Sequence, residues 1–119
     1  MKKVNVLGTE YKIEVKKIDD DYFMKEKGFC GHCDEHTKSI VIADRNDDTY
    51  FKDMSAEKRI IDTKETLRHE IVHAFFDESG LSYNSNNSNG AWAKNEEMVD
   101  WIAIQGPKIY DAWKQVDAI

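Results

Sequence analysis

An α+β fold follows from three features of this 119-residue chain. Short alternating segments of strand character fill the first 43 residues. A long stretch with clear helix start and stop signals occupies the middle. A second amphipathic stretch follows an Asn/Ser-rich connection. The length fits a single domain over residues 1–119. With 40% apolar and 11% aromatic residues, the chain can support a compact though modest core. No repeat or second domain is visible. The expected architecture is a small antiparallel or mixed sheet packed on the long helix and on the second one.

Each element has its own signal. Lys3–Leu7 and Tyr11–Lys16 alternate in polarity around Gly8-Thr9, as in a hairpin. Asp19–Glu26 is polar and reads as a short helix or loop. Gly28–Asp34 is a strand and turn, and Lys38–Ala43 is a strand rich in β-branched residues, Ser39-Ile40-Val41-Ile42-Ala43. Asp44–Asp53 is a polar loop. Ser55 caps a long helix that runs to Ser79, and Gly80 ends it. Ser82–Gly90 reads as a mobile connection bordering any cleft between the two helices, either a lid or a plain linker. Ala91–Gln105 is the second helix, with Met98, Trp101, Ile102 and Gln105 at core spacing. Pro107 then opens a final helix at its first position, through about Lys114.

Composition excludes several classes of function. The net charge of −6, without a basic patch, argues against nucleic acid or an anionic membrane surface as a partner. No apolar run reaches the 18 residues of a membrane span. Met1-Lys2-Lys3-Val4-Asn5-Val6 carries no apolar signal core. The expected location is the cytoplasm.

The chemistry concentrates in His69-Glu70-Ile71-Val72-His73. Residues four apart stack on one helical face, so His69 and His73 can point both imidazoles at a single ion. Glu70 lies about 100° round the helix from His69, beside the ion and not on it. A general base for a metal-activated water belongs there. The flanking Leu67, Ile71, Val72, Ala74, Phe75 and Phe76 mark the helix as one that packs. Polar groups within a packed helix need partners, because unpaired burial costs a few kcal/mol, and a metal ion supplies them.

A catalytic zinc ion takes three protein ligands and keeps a position open. Asp77 is eight residues beyond His69, about 12 Å along the axis, and cannot share the ion with both histidines. The second helix offers a better donor. Glu96, Asp100 and Ala103 form a stripe at i, i+4, i+7, and its small member lets another helix approach closely. Glu96 is the expected third ligand and Asp100 the carboxylate that orients a ligand imidazole. Glu97 is the alternative ligand, and a solvated acidic face is the non-functional reading of either glutamate.

Cys30-Gly31-His32-Cys33-Asp34-Glu35-His36 is a second cluster of potential ligands. It lacks the distant ligand pair of a zinc knuckle and the βαβ setting of a thioredoxin-like dithiol. The plainest reading is a Gly-containing turn with two reduced thiols; a second zinc or a redox pair are its alternatives.

His69-Glu70-x-x-His73 followed by Glu96-x-x-x-Asp100 resembles the gluzincin arrangement of thermolysin-like peptidases. The run Glu96-Glu97-Met98-Val99-Asp100-Trp101-Ile102-Ala103 is similar to a segment of the ImmA/IrrE family of metallopeptidases, and within that group the chain looks closest to small zincin-like proteins encoded in phages and prophages. The resemblance spans roughly residues 28–113. It implies a minimal zincin-like fold, one zinc ion held by His69, His73 and Glu96, Glu70 as catalytic acid/base, and Asp100 behind a ligand. Val99 stands where the family carries Ala, Trp101 is bulky, and Gln105-Gly106-Pro107 replaces the customary continuation.

Two functions fit. One is a zinc-dependent endopeptidase acting on a specific cytoplasmic protein or peptide. The other is a non-proteolytic interaction module that keeps zinc for structural reasons. The presence of Glu70 favours the first, since a structural site has no use for it. Tyr83 or His36 is a candidate second donor to the reacting carbonyl oxygen, and the edge of Ser39–Ala43 a candidate platform for an extended peptide.

Overall fold

The computed structural model describes residues 2–83 and 90–119. Four strands form one mixed sheet: β1 (Lys2–Val6), β2 (Thr9–Lys16), β3 (Gly31–Asp34) and β4 (Ser39–Ala43), in the order β1-β2-β4-β3. The helices are α1 (Tyr22–Lys27), α2 (Asp48–Phe51), α3 (Ala56–Glu78) and α4 (Glu96–Gln115), with short 3-10 turns at Ile18–Asp20 and Trp92–Lys94. The fold is α+β.

β1 and β2 pair antiparallel through a two-residue turn in which Leu7 and Gly8 both have positive φ, 52° and 92°. That turn matches the natural twist of a hairpin, and Thr9 joins the strand. The chain then crosses over through α1 and returns so that β4 runs parallel to β2 and antiparallel to β3. β4 is therefore an inner strand, flanked on both sides. Contrary to the expectation of a platform for an added peptide, it has no free edge. Among the described residues the open edge on that side belongs to β3.

Alternation along the strands divides the core into two layers. Val6, Tyr11, Ile13, Ile40 and Ile42 face α3, where Leu67, Ile71 and Ala74 meet them. Val41 and Ala43 face the other way and pack with Ile18, Met24 and Phe51. On the first face Glu78 ties the end of α3 to the sheet, accepting from Thr9 Oγ1 at 2.9 Å, Tyr11 Oη at 3.0 Å and the Lys38 ammonium. Arg45, almost wholly buried, fastens the middle of α3. It donates to Asp62 at 2.6 Å, to Thr66 Oγ1 at 2.7 Å and to the Ala43 carbonyl at 2.8 Å.

α3 begins where Ser55 accepts from the Lys58 amide at 3.2 Å, and its close is followed by Gly80 at φ 84°. The polar loop after β4 contains the single turn α2. α4 departs from expectation in two ways. Its buried residues are Val99 and Ala103, while Trp101 is 57% exposed. The small-residue stripe meets α3, because small side chains permit the close approach that tryptophan would obstruct. The helix also does not restart at Pro107 but passes through it. Proline deprives the carbonyl four residues earlier of its helical donor. That carbonyl belongs to Ala103, and Arg68 Nε of α3 donates to it at 2.6 Å. The side chain of one helix thus replaces the missing backbone bond of the other.

This substitution of donors is testable. Arg68→Met should destabilise the protein by about 1–2 kcal/mol, since a buried carbonyl loses its partner. In a Pro107→Ala background the residue-107 N–H returns, and the cost of Arg68→Met should fall by at least half. Urea unfolding of the four variants gives the coupling directly; equal costs in both backgrounds would refute it.

Candidate metal centre

α3 and α4 run antiparallel where they meet, so His73 faces Glu96, His69 faces Asp100 and Arg68 faces Ala103. His69 Nε2 and His73 Nε2 lie 3.1 Å apart. The Glu96 carboxylate is 3.1 Å from the former and 3.2 Å from the latter. Donor atoms bound tetrahedrally to zinc at their usual distances are about 3.3 Å from one another. The triangle therefore has the dimensions of one face of a zinc tetrahedron, with the fourth corner open.

Asp100 defines how the histidine sits. Its Oδ1 is 2.7 Å from His69 Nδ1. A carboxylate only accepts, so Nδ1 carries the proton and Nε2 turns a lone pair toward His73 and Glu96. Nitrogen lone pairs and a carboxylate in such contact require a shared proton or a cation between them. Two imidazoles and one carboxylate are a donor set that could hold a divalent metal ion such as zinc. Asn95 supports the arrangement by capping α4, accepting from the Met98 amide at 2.9 Å, so that Glu96 stands at the first helical position.

Glu70 lies beside the triangle. Its Oε1 is 4.0 Å from His69 Nε2, its side chain is more than nine-tenths buried, and it makes no hydrogen bond among the described residues. Burial pushes its carboxyl up to about 8, and the Glu96, Asp100 and Asp77 carboxylates push the same way. A positive charge on the triangle opposes that push and favours the ionised form. Across from Glu70 stands Gly31 of β3. A methyl group there would meet Glu70 Oε1 and the Val41 carbonyl at 3.1 Å and Thr66 Cγ2 at 3.0 Å. The absence of a side chain lets α3 lie this close to the edge strand.

Both helices and the edge strand enclose a cleft of about 610 Å³, lined by Gly28–Cys33, Glu65, Thr66, Ala103 and the residues of the triangle. Among the described residues, one ligand atom each of His69, Glu70 and His73 also lie within 4.8 Å of one another, so Glu70 borders the same position as the triangle. Glu97 is exposed and joins no ion pair there. Asp77 sits elsewhere, 3.9 Å from Cys33 Sγ. The two thiols are free: Cys30 is exposed, and burial raises the Cys33 thiol far above its ordinary range. His32 is engaged by Asp21, to which it donates at 3.0 Å, so the cysteine-rich turn gathers no common centre. His36 is exposed in the β3–β4 turn and Tyr83 lies near Glu35; neither lines the cleft, so neither serves as the second carbonyl donor. Residues 84–89, most of the anticipated lid, lie outside the described residues.

Comparison with protein-family models, with curated proteins and with solved structures finds no match to this chain. Among the described residues no helix is long and apolar enough to cross a membrane.

The two glutamates at the start of α4 should behave differently. Glu96→Gln is expected to abolish or greatly weaken zinc binding, and Glu97→Gln to leave it near one ion per chain by metal titration. The opposite pattern would exchange their roles. Asp100→Ala should weaken zinc affinity roughly 10- to 100-fold while the fold persists. An unaltered affinity would reduce Asp100 to a surface acid.

Proposed function

We propose that this chain is a zinc-dependent metallopeptidase of gluzincin type, akin to the ImmA/IrrE group, that hydrolyses a peptide bond in a specific protein. The observation that carries the reading is the juxtaposition of His69, His73 and Glu96 as a three-donor face with the buried carboxyl of Glu70 beside its open side. A structural zinc site would be closed by a fourth protein ligand; here the neighbouring acid is offset from the triangle.

Zinc, when bound, would polarise a peptide carbonyl and bring water to ionisation near neutral pH. The chain's own groups do the rest. Glu70 accepts the proton of the attacking water and returns it to the leaving amine. Asp100 holds His69 in the tautomer that keeps Nε2 available. Gly31 lets the edge strand lie directly against Glu70. The free edge of β3 supplies backbone donors and acceptors to an extended peptide, in the place first assigned to β4.

Glu70→Gln retains the shape of the side chain and removes the base. It should bind zinc normally and melt at an unchanged temperature, yet lose roughly 10²- to 10⁴-fold in hydrolysis. Cell lysate digested with wild-type and variant protein, compared by peptide mass spectrometry, gives the readout. Identical peptide profiles would reject hydrolysis of those proteins and leave the zinc-bearing interaction module.

A further inference from the structure

Four carboxylates line the cleft, those of Glu65, Glu70, Glu96 and Asp100, and among the described residues no lysine or arginine does. Two arginines reach its walls, and both are engaged. Arg45 holds Asp62, Thr66 and the Ala43 carbonyl, and Arg68 holds the carbonyl of Ala103. Even with a dication on the triangle, the cleft stays net negative. Its field draws cationic ligands and disfavours acidic ones.

Three of the four acids belong to the centre already described. Glu65 does not. It stands four residues before His69, one helical turn or about 6 Å along the same face of α3. It makes no hydrogen bond or ion pair among the described residues, whereas Asp62 and Glu78 of the same helix are both ion-paired. Glu70, more than nine-tenths buried and equally without a hydrogen-bond partner there, opens on the same cleft, which marks the space between them as one that receives a ligand.

We propose that Glu65 is a specificity residue that receives a lysine or arginine side chain next to the peptide bond held at the triangle. The flexible stem of lysine, or the longer one of arginine, spans one helical turn and brings its charge to the Glu65 carboxylate. The inference rests on the metallopeptidase reading and adds to it a substrate class, segments with a basic residue beside the cleaved bond.

The test uses the zinc-loaded full chain and a hydroxamate-tipped peptide whose residue next to the chelating group is either lysine or norleucine, its neutral counterpart. Affinities are measured by calorimetry, with zinc content determined on the same samples. Wild-type protein should prefer the lysine probe roughly five- to tenfold, and the preference should shrink as salt is added. Glu65→Gln should erase the preference while keeping one zinc per chain and the norleucine affinity. Equal binding of the two probes by wild-type protein, or a preference that survives Glu65→Gln, would overturn the role of Glu65 and leave the metal centre standing. Protein that holds no zinc, or zinc-loaded protein that binds neither probe, would overturn the metallopeptidase reading and this inference with it.

Discussion

Pro107 removes a backbone donor from α4, and Arg68 of α3 fills its place at the Ala103 carbonyl. Everything at the candidate centre depends on how these two helices meet. The bond fixes one point of contact, and the small stripe of Val99 and Ala103 allows the axes to come close. From there, one turn toward the start of α4 places Asp100 at His69, and a further turn places Glu96 between His69 and His73. A helix pair held farther apart would leave two histidines and two acids on separate solvated faces.

The sheet constrains α3 from the other side. Arg45 and Glu78 fasten it at its middle and its end, and Leu67, Ile71 and Ala74 seat it on the sheet. The edge strand comes close only because residue 31 is glycine. Glu70 is thereby pressed between strand and helix, largely desolvated and near the Glu96, Asp100 and Asp77 carboxylates, which is why its proton affinity rises. The same enclosure keeps its carboxyl near the open side of the triangle. Stability and chemistry are coupled here: the contacts that hold α3 also put an unpaired acid where a base is useful.

The acidity of the cleft has a related origin. Arginines at its walls are consumed in holding the helices and the end of β4, so their charge is directed into the framework and away from the open space. The carboxylates that remain are balanced by whatever enters. In the function proposed above, a metal ion would answer for the triangle and a cationic side chain for Glu65.

Local pattern determined a good deal by itself. The i,i+4 histidines, the offset glutamate, the Ser55 cap and the hairpin all follow from helical and strand periodicity, which neighbouring residues largely settle. The stripe of Glu96, Asp100 and Ala103 was also legible, as was its separation from Glu97, since 100° per residue turns adjacent side chains apart. Tertiary contact decided the rest. Whether Trp101 or Ala103 faces the core depends on how near α3 comes, and hydrophobic spacing alone chose the tryptophan. Whether Pro107 ends a helix depends on a donor from a distant residue. The strand richest in β-branched residues turned out to be an inner one, with the open edge left to β3, because strand order is set by pairing across the sheet and not by composition. Gly31 and Glu65 acquire their significance only when the strand and the two helices are brought around one cleft.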